Sequence, residues 1–275
     1  MTFEYICFSI SNICNLKCPY CFRYSSNSTF IELNNFKECI AKLVKLGCKR
    51  INITGGEPLL NPIWKDYVKI CKQYGLEIIL SSNGILLDMN DEILNDLFVL
   101  TVPLDGYNSS INAYTRGKGH FDFVYDIINK YKNGKYPFKL KINSVITKYN
   151  YETLENMGSI LNHKNIIWKL FQYRSKGLYN NLCADLTVSN DAIKEKLYQI
   201  MQLKLSCWVM EEDIINDLNN PNEYLSVNCD GTLMICTQKG DINVCNILQT
   251  STEAMCDKLR LIRPIIKPYR SLIGD

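Results

Sequence analysis

Histidine is nearly missing from this chain: His120 and His163 are the only two among 275 residues. A catalytic zinc centre built on imidazoles therefore has little to draw on. Also missing is any long unbroken apolar run of membrane-spanning length. The amino-terminal MTFEYICFSI lacks the basic stretch and small-residue cleavage site of a secretory signal. No amphipathic helix precedes the first strand candidate, so a membrane anchor is not expected, and the expected setting is cytoplasmic. Charge of one sign is scarce too: 31 basic against 28 acidic residues leave a net +3. That is too little for a broad field aimed at nucleic acid or membrane, so neither partner is expected and any anion site must be local. There are no internal repeats and no low-complexity segments.

What is present is a chain with 47% hydrophobic residues and 13 cysteines. The odd count and the chain length argue against a disulfide-stapled secreted domain. Cys7, Cys39, Cys48, Cys71, Cys183 and Cys207 lie in apolar segments and read as packing residues. Six strand candidates follow one another: YICFSI from Tyr5, RINIT from Arg50, EIILSS from Glu77, VLTVPL from Val99, FKLKINSVI from Phe138 and IIWKLF from Ile166. Helix-sized segments separate them, the pattern of βα units on a parallel sheet. Six units fall short of a closed eight-fold barrel, so the expected fold class is α/β, a partial (β/α)6 TIM-type barrel with an open parallel sheet. Residues 1–188 form the expected core. Residues 189–275 form a small extension with a helix, a hairpin YLSVNCDGTLMIC about Asp230-Gly231 and a basic tail. In such folds function gathers at the carboxyl ends of strands, here the loops that begin at Cys14, Gly55, Asn83, Asp105, Ser144 and Gln172.

The first of these loops reads CNLKCPYC, with Cys14, Cys18 and Cys21 spaced C-x3-C-x2-C. A structural zinc takes four ligands and a cubane iron–sulfur cluster normally takes four thiolates. Three thiols leave one iron position for another ligand, unless a distant thiol completes a zinc site. The triad followed by Phe22, together with TGGEP at Thr54–Pro58 and SSNG at Ser81–Gly84, resembles the radical S-adenosylmethionine superfamily. The resemblance implies a 4Fe–4S cluster on Cys14, Cys18 and Cys21. It further implies S-adenosylmethionine beside Phe22, Gly55, Gly56, Glu57, Ser81, Asn83 and Ser144, and reductive cleavage of that cofactor to a 5'-deoxyadenosyl radical. An electron donor such as flavodoxin or ferredoxin is implied as a partner.

KINSVITKYN from Lys141 to Asn150, WKLFQ from Trp168, YLSVNCDGTLMIC and CNIL from Cys245 look like successive segments of the viperin family. That resemblance implies dehydration of a nucleoside triphosphate to its 3'-deoxy-3',4'-didehydro form, with a role in antiviral defence. It implies Arg116, Lys141, Asn143 and Lys169 as substrate-binding residues and Tyr224 as a catalytic group near the ribose. Lys141 and Asn143, two apart on a strand, share one face. The sequence departs from the family where Arg23 follows Phe22 and where VPLDG carries Pro103. Two other readings stand beside this one: a radical peptide maturase with a second cluster on Cys229, Cys236, Cys245 and Cys256, and a zinc-stapled binding domain.

Overall fold

The computed structural model describes residues 4–21, 29–173, 186–213, 224–237 and 240–262. Two compact units share the chain: one takes Met1–Ile13, Ser25–Ser81 and Leu218–Asp275, the other Cys14–Tyr24 and Ser82–Asp217. The fold is α/β with an open mixed sheet around a parallel core, and all six strand candidates form strands.

In the first unit, β1 (Tyr5–Ser11), β2 (Arg50–Gly55) and β3 (Glu77–Ser81) run parallel. β1 is buried along nearly its whole length, as a parallel strand covered on both faces must be. Between β1 and β2, α1 (Leu33–Lys45) buries Phe36, Cys39, Ile40 and Leu43 at helical spacing, and Lys42 and Lys45 sit in its last turn. Phe36 packs edge-on against Phe8 of β1, with ring centroids 4.8 Å apart, and against Tyr67 of α2 (Trp64–Gln73) at 4.9 Å. Cys39, Cys48 and Cys71 are fully enclosed, and burial pushes the Cys39 and Cys48 thiols up to about 12. These are the packing cysteines expected; Cys183 lies outside the described residues.

The hairpin of the carboxyl-terminal segment, β8 (Tyr224–Val227) and β9 (Thr232–Cys236), is not a separate appendage. β8 pairs in parallel with β1, setting Cys7 beside Ser226 and Phe8 beside Val227. β9 then runs antiparallel to β8, and β10 (Asp241–Asn246) antiparallel to β9. This addition makes the sheet mixed, where the sequence alone predicted a parallel one. A final helix, α7 (Thr252–Ile262), closes the described part of the unit.

In the second unit, β4 (Val99–Pro103), β5 (Lys139–Ile146), β6 (Ile166–Gln172) and β7 (Trp208–Asp213) run parallel in that order. The helices of the unit are α3 (Ser109–Arg116), α4 (His120–Asn133), α5 (Met157–Leu161) and α6 (Asn190–Gln202). α3 is capped by the Asn108 side chain, which accepts from the Ile111 amide at 2.9 Å. Among the described residues, no helix is long and apolar enough to cross a membrane.

Candidate active site

The cysteine loop belongs to the second unit. Cys14 is exposed, Cys18 is buried and Cys21 is half-buried. A turn draws Cys21 back onto Cys18, with the Cys21 amide donating to the Cys18 carbonyl at 3.0 Å. The Leu16 amide points at Cys14 Sγ (3.4 Å), and Arg116 Nη1 points at Cys18 Sγ (3.6 Å). Burial raises the Cys18 thiol above its ordinary range, and the neighbouring guanidinium works against that rise. Among the described residues no group of three His, Cys, Asp or Glu side chains is arranged to hold a metal ion. The chemistry of the donor set nevertheless fits an iron–sulfur cluster: soft thiols with N–H groups directed at two of them, in a loop without imidazole or carboxylate. Phe22 lies outside the described residues.

Behind this loop stands Asp105, at the carboxyl end of β4 and 1% exposed. Its Oδ2 accepts from the Tyr20 hydroxyl, from Thr115 Oγ1 at 2.8 Å and from Arg116 Nε at 2.7 Å, and its Oδ1 accepts from the Val145 amide at 2.8 Å. Arg116 also lies over the Tyr20 ring, 5.1 Å from its centroid. Burial pulls the guanidinium down, but Asp105, Tyr20 and Cys18 together hold it well above its usual range, so its charge is fixed. Arg116 is therefore bonded into this network and turned toward Cys18.

The network extends through α3 and α4. The Asp105 amide donates to Asn112 Oδ1 (3.0 Å); Asn112 Nδ2 donates to His120 Nδ1 (3.0 Å); His120 Nε2 donates to the Asn83 carbonyl (2.9 Å). His120 is a neutral imidazole whose pKa is lowered to about 4, first by burial and then by Arg116. Asn83 in turn donates from Nδ2 to Asn15 Oδ1 of the cysteine loop at 2.7 Å. The SSNG turn and the cysteine loop are thus tied together at one end of this unit. The sequence reading missed Asn112 and His120 as site residues, and placed Asp105 only as the start of a loop at a strand end. The available signal was an aspartate directly after a strand, followed by a polar helix capped by Asn108.

The second unit also carries the cationic candidates. Lys141 of β5 stands beside Thr101 of β4, and Asn143 beside Lys169 of β6. Lys141 is 5% exposed, Thr101 3% and Lys169 8%. Leu100, Val102, Leu140, Ile142, Trp168 and Leu170 alternate with them and are fully buried on the opposite face. Ser144 lies on that opposite face: its hydroxyl donates to the Leu104 carbonyl and accepts from Trp168 Nε1 at 3.0 Å. Strand alternation separates it from Lys141 and Asn143, and its hydrogen bonds serve packing.

In the first unit, Gly55 and Gly56 sit where β2 ends against the backbone leaving β1. A Cβ on Gly55 would fall 2.1 Å from the Ser11 carbonyl oxygen, and one on Gly56 2.1 Å from that of Ile13. The Gly56 amide donates to Ser11 and the Glu57 amide to Ile13, both at 2.7 Å, so the two chains are locked together. Glu57 is wholly buried, and its Oε1 accepts from the Leu59 amide at 3.0 Å, starting the 3-10 helix Pro58–Leu60. Ser81 ends β3 and donates to Asn52 Oδ1 at 2.7 Å. Tyr224 begins β8; since Ser226 pairs with Cys7, Tyr224 is level with the amino end of β1, away from the ends at Ser11 and Gly55.

Comparison with known proteins follows the same outline. A model of the radical SAM superfamily matches residues 8–161. The GTP 3',8-cyclase of Synechocystis sp. is 32% identical over 147 residues, which make up 51% of this chain and 44% of the cyclase. The S-adenosylmethionine-dependent nucleotide dehydratase of Flammeovirga pacifica is 28% identical over 196 residues, 66% of this chain and 67% of the dehydratase. The chain thus spans less than half the length of the cyclase relative. The crystal structure of Streptococcus suis SuiB bound to precursor peptide SuiA superimposes with a TM-score of 0.70 at 16% identity, covering 85% of this chain and 59% of SuiB, a likeness of fold.

Proposed function

The chain belongs to the radical SAM superfamily, whose members use a 4Fe–4S cluster and S-adenosylmethionine, and from that premise we propose that it dehydrates a nucleoside triphosphate to the 3'-deoxy-3',4'-didehydro nucleotide. The observation that carries this reading is the pair of buried lysines, Lys141 and Lys169, set with Asn143 on one face of β5 and β6. Two lysines and an amide side chain on one strand face match the phosphate oxygens and polar sugar of a nucleoside triphosphate. The names of two relatives, a nucleotide dehydratase and a GTP cyclase, support a nucleotide as the substrate class.

Cys14, Cys18 and Cys21 would hold the cluster, and the bound cofactors would supply the radical that abstracts a ribose hydrogen. Gly55, Gly56, Glu57, Ser81 and Asn83 would surround S-adenosylmethionine, with Glu57 as an acceptor for its ammonium. Lys141 and Lys169 bind phosphate oxygens, and Asn143 orients the sugar. Holding the sugar still fixes which hydrogen is nearest the radical, the orientation effect on which selectivity depends. A flavodoxin or ferredoxin would deliver electrons in the cytoplasm. A part in defence against viruses, through a chain-terminating product, rests on the viperin resemblance.

The test is an anaerobic assay of reconstituted protein with dithionite, S-adenosylmethionine and each nucleoside triphosphate in turn. The expected result is nucleotide-stimulated release of 5'-deoxyadenosine with loss of one water from the nucleotide. The 32% identity to a cyclase favours a second reading, ring closure of GTP. A GTP-only reaction whose product keeps the mass of its substrate would establish that reading and overturn dehydration.

A further inference from the structure

Two buried side-chain oxygens among the described residues have no hydrogen-bond partner: Thr101 Oγ1 and Asn143 Oδ1. Both lie on the face of β4 to β6 that carries the lysines. Thr101 pairs in register with Lys141 and Asn143 with Lys169, so each orphaned oxygen has a buried ammonium as its strand neighbour. Thr101 is 3% exposed, so its hydroxyl is buried. Its strand neighbours on the opposite face, Leu100 and Val102, are wholly apolar and buried. A valine would fill the position of Thr101 with the same shape and strand no hydroxyl, so packing alone does not call for threonine.

The chemistry of the two orphans specifies what completes them. An amide oxygen only accepts, so Asn143 Oδ1 requires a donor; a hydroxyl donates and accepts, so Thr101 Oγ1 is satisfied by another hydroxyl or by an anion. Phosphate oxygens alone would leave Asn143 Oδ1 without a donor. The ligand that completes both oxygens carries hydroxyl or N–H donors, as a nucleotide does on its sugar, and the phosphates of a nucleotide suit the two lysines that neighbour them. Resting on the nucleotide reading above, we propose that Thr101 is a substrate-binding residue which, with Asn143, grips sugar hydroxyls of the nucleotide while Lys141 and Lys169 take its phosphates. The selection made here is for a ribose that keeps its hydroxyls.

The experiment uses the reconstituted protein with S-adenosylmethionine, titrated calorimetrically with the preferred nucleoside triphosphate, its 2'-deoxy and 3'-deoxy forms, and inorganic triphosphate. Thr101→Val is expected to lose about tenfold in affinity for the ribonucleotide, the scale of one hydrogen bond. It is expected to bind inorganic triphosphate as the unaltered protein does, and to bind the ribonucleotide and one deoxy form equally. Its melting temperature without nucleotide should hold or rise, because a stranded hydroxyl has been removed; Thr101→Ser should restore ribonucleotide affinity. A structural role would instead lower the melting temperature and weaken inorganic triphosphate binding in parallel, and that result would overturn the proposal. Unaltered protein that binds ribonucleotide no better than Thr101→Val overturns this assignment alone. Unaltered protein that binds none of the nucleotides overturns the nucleotide reading and this assignment together.

Discussion

Two buried polar regions of the second unit stand in contrast. Around Asp105 every group has an answer: the carboxylate takes three side-chain donors and a backbone amide, and the chain of bonds continues through Asn112 and His120 to Asn83. On the face of β4 to β6 two oxygens are left without partners beside two buried lysines. Both regions carry the cost of burying polar atoms, and they recover it differently. The closed network recovers it within the chain and acts as a frame for the cysteine loop. The open one leaves two oxygens for a ligand to complete, as the proposed binding surface requires.

Removing a member of the closed network should hurt folding most. Asp105→Ala leaves the Arg116 guanidinium buried without its counter-charge, and about 3–5 kcal/mol of stability should be lost in denaturant titration. A loss below 1 kcal/mol would mean that the network is not the frame described. Acid should attack the same region next. The folded His120 pKa is about 4 against an ordinary 6.5, so the unfolded chain takes up the proton first. The contribution of the neutral imidazole is whole above pH 6.5 and falls away as pH drops toward 4, a loss of roughly 3 kcal/mol at the acid end. In a His120→Gln variant this part of the acid sensitivity should vanish; an unchanged stability profile between these pH values would disprove the assignment.

The open region should respond in the opposite manner. Lys141→Met and Lys169→Met should each weaken nucleoside triphosphate binding by about tenfold or more, the weight of a charge-assisted contact, while the unfolding midpoint stays nearly constant. Unchanged affinity in both variants would remove this face from the substrate site. The smallest effect is expected at Ser144→Ala, which should cost about 1 kcal/mol in folding through its bonds to Leu104 and Trp168 and leave cofactor affinity intact. A selective loss of S-adenosylmethionine binding there would return Ser144 to the cofactor.

The same contrast explains what could be read from the sequence. The six strands were legible because their apolar residues either run nearly unbroken, as in β1 and β4, or alternate, as in β2 and β5, and α1 and α4 because their buried residues recur at helical spacing. α3 was not, since its buried positions are Asn112 and Thr115, polar residues chosen for the Asp105 network. β7 and β10 escaped because WVMEED and DINVCN mix charged or amide side chains into short strands. The pairing of β8 with β1 depends on contacts between distant segments, which no local pattern encodes. In the site, thiol spacing announced the cysteine loop, and alternation placed Lys141 with Asn143. Arg116 was legible as a cation but not as the partner of Asp105. Thr101 was invisible, because only a three-dimensional register reveals that its hydroxyl lacks a neighbour.

The seam between β8 and β1 bears on how this molecule can be divided. A chain cut after residue 188, where the βα repeats end, would strip β1 of its parallel companion and leave a row of N–H and C=O groups bare along the strand that holds Phe8 and Ile10. Such an edge recruits whatever strand comes next, so the shortened protein is expected to self-associate more readily than the 275-residue chain.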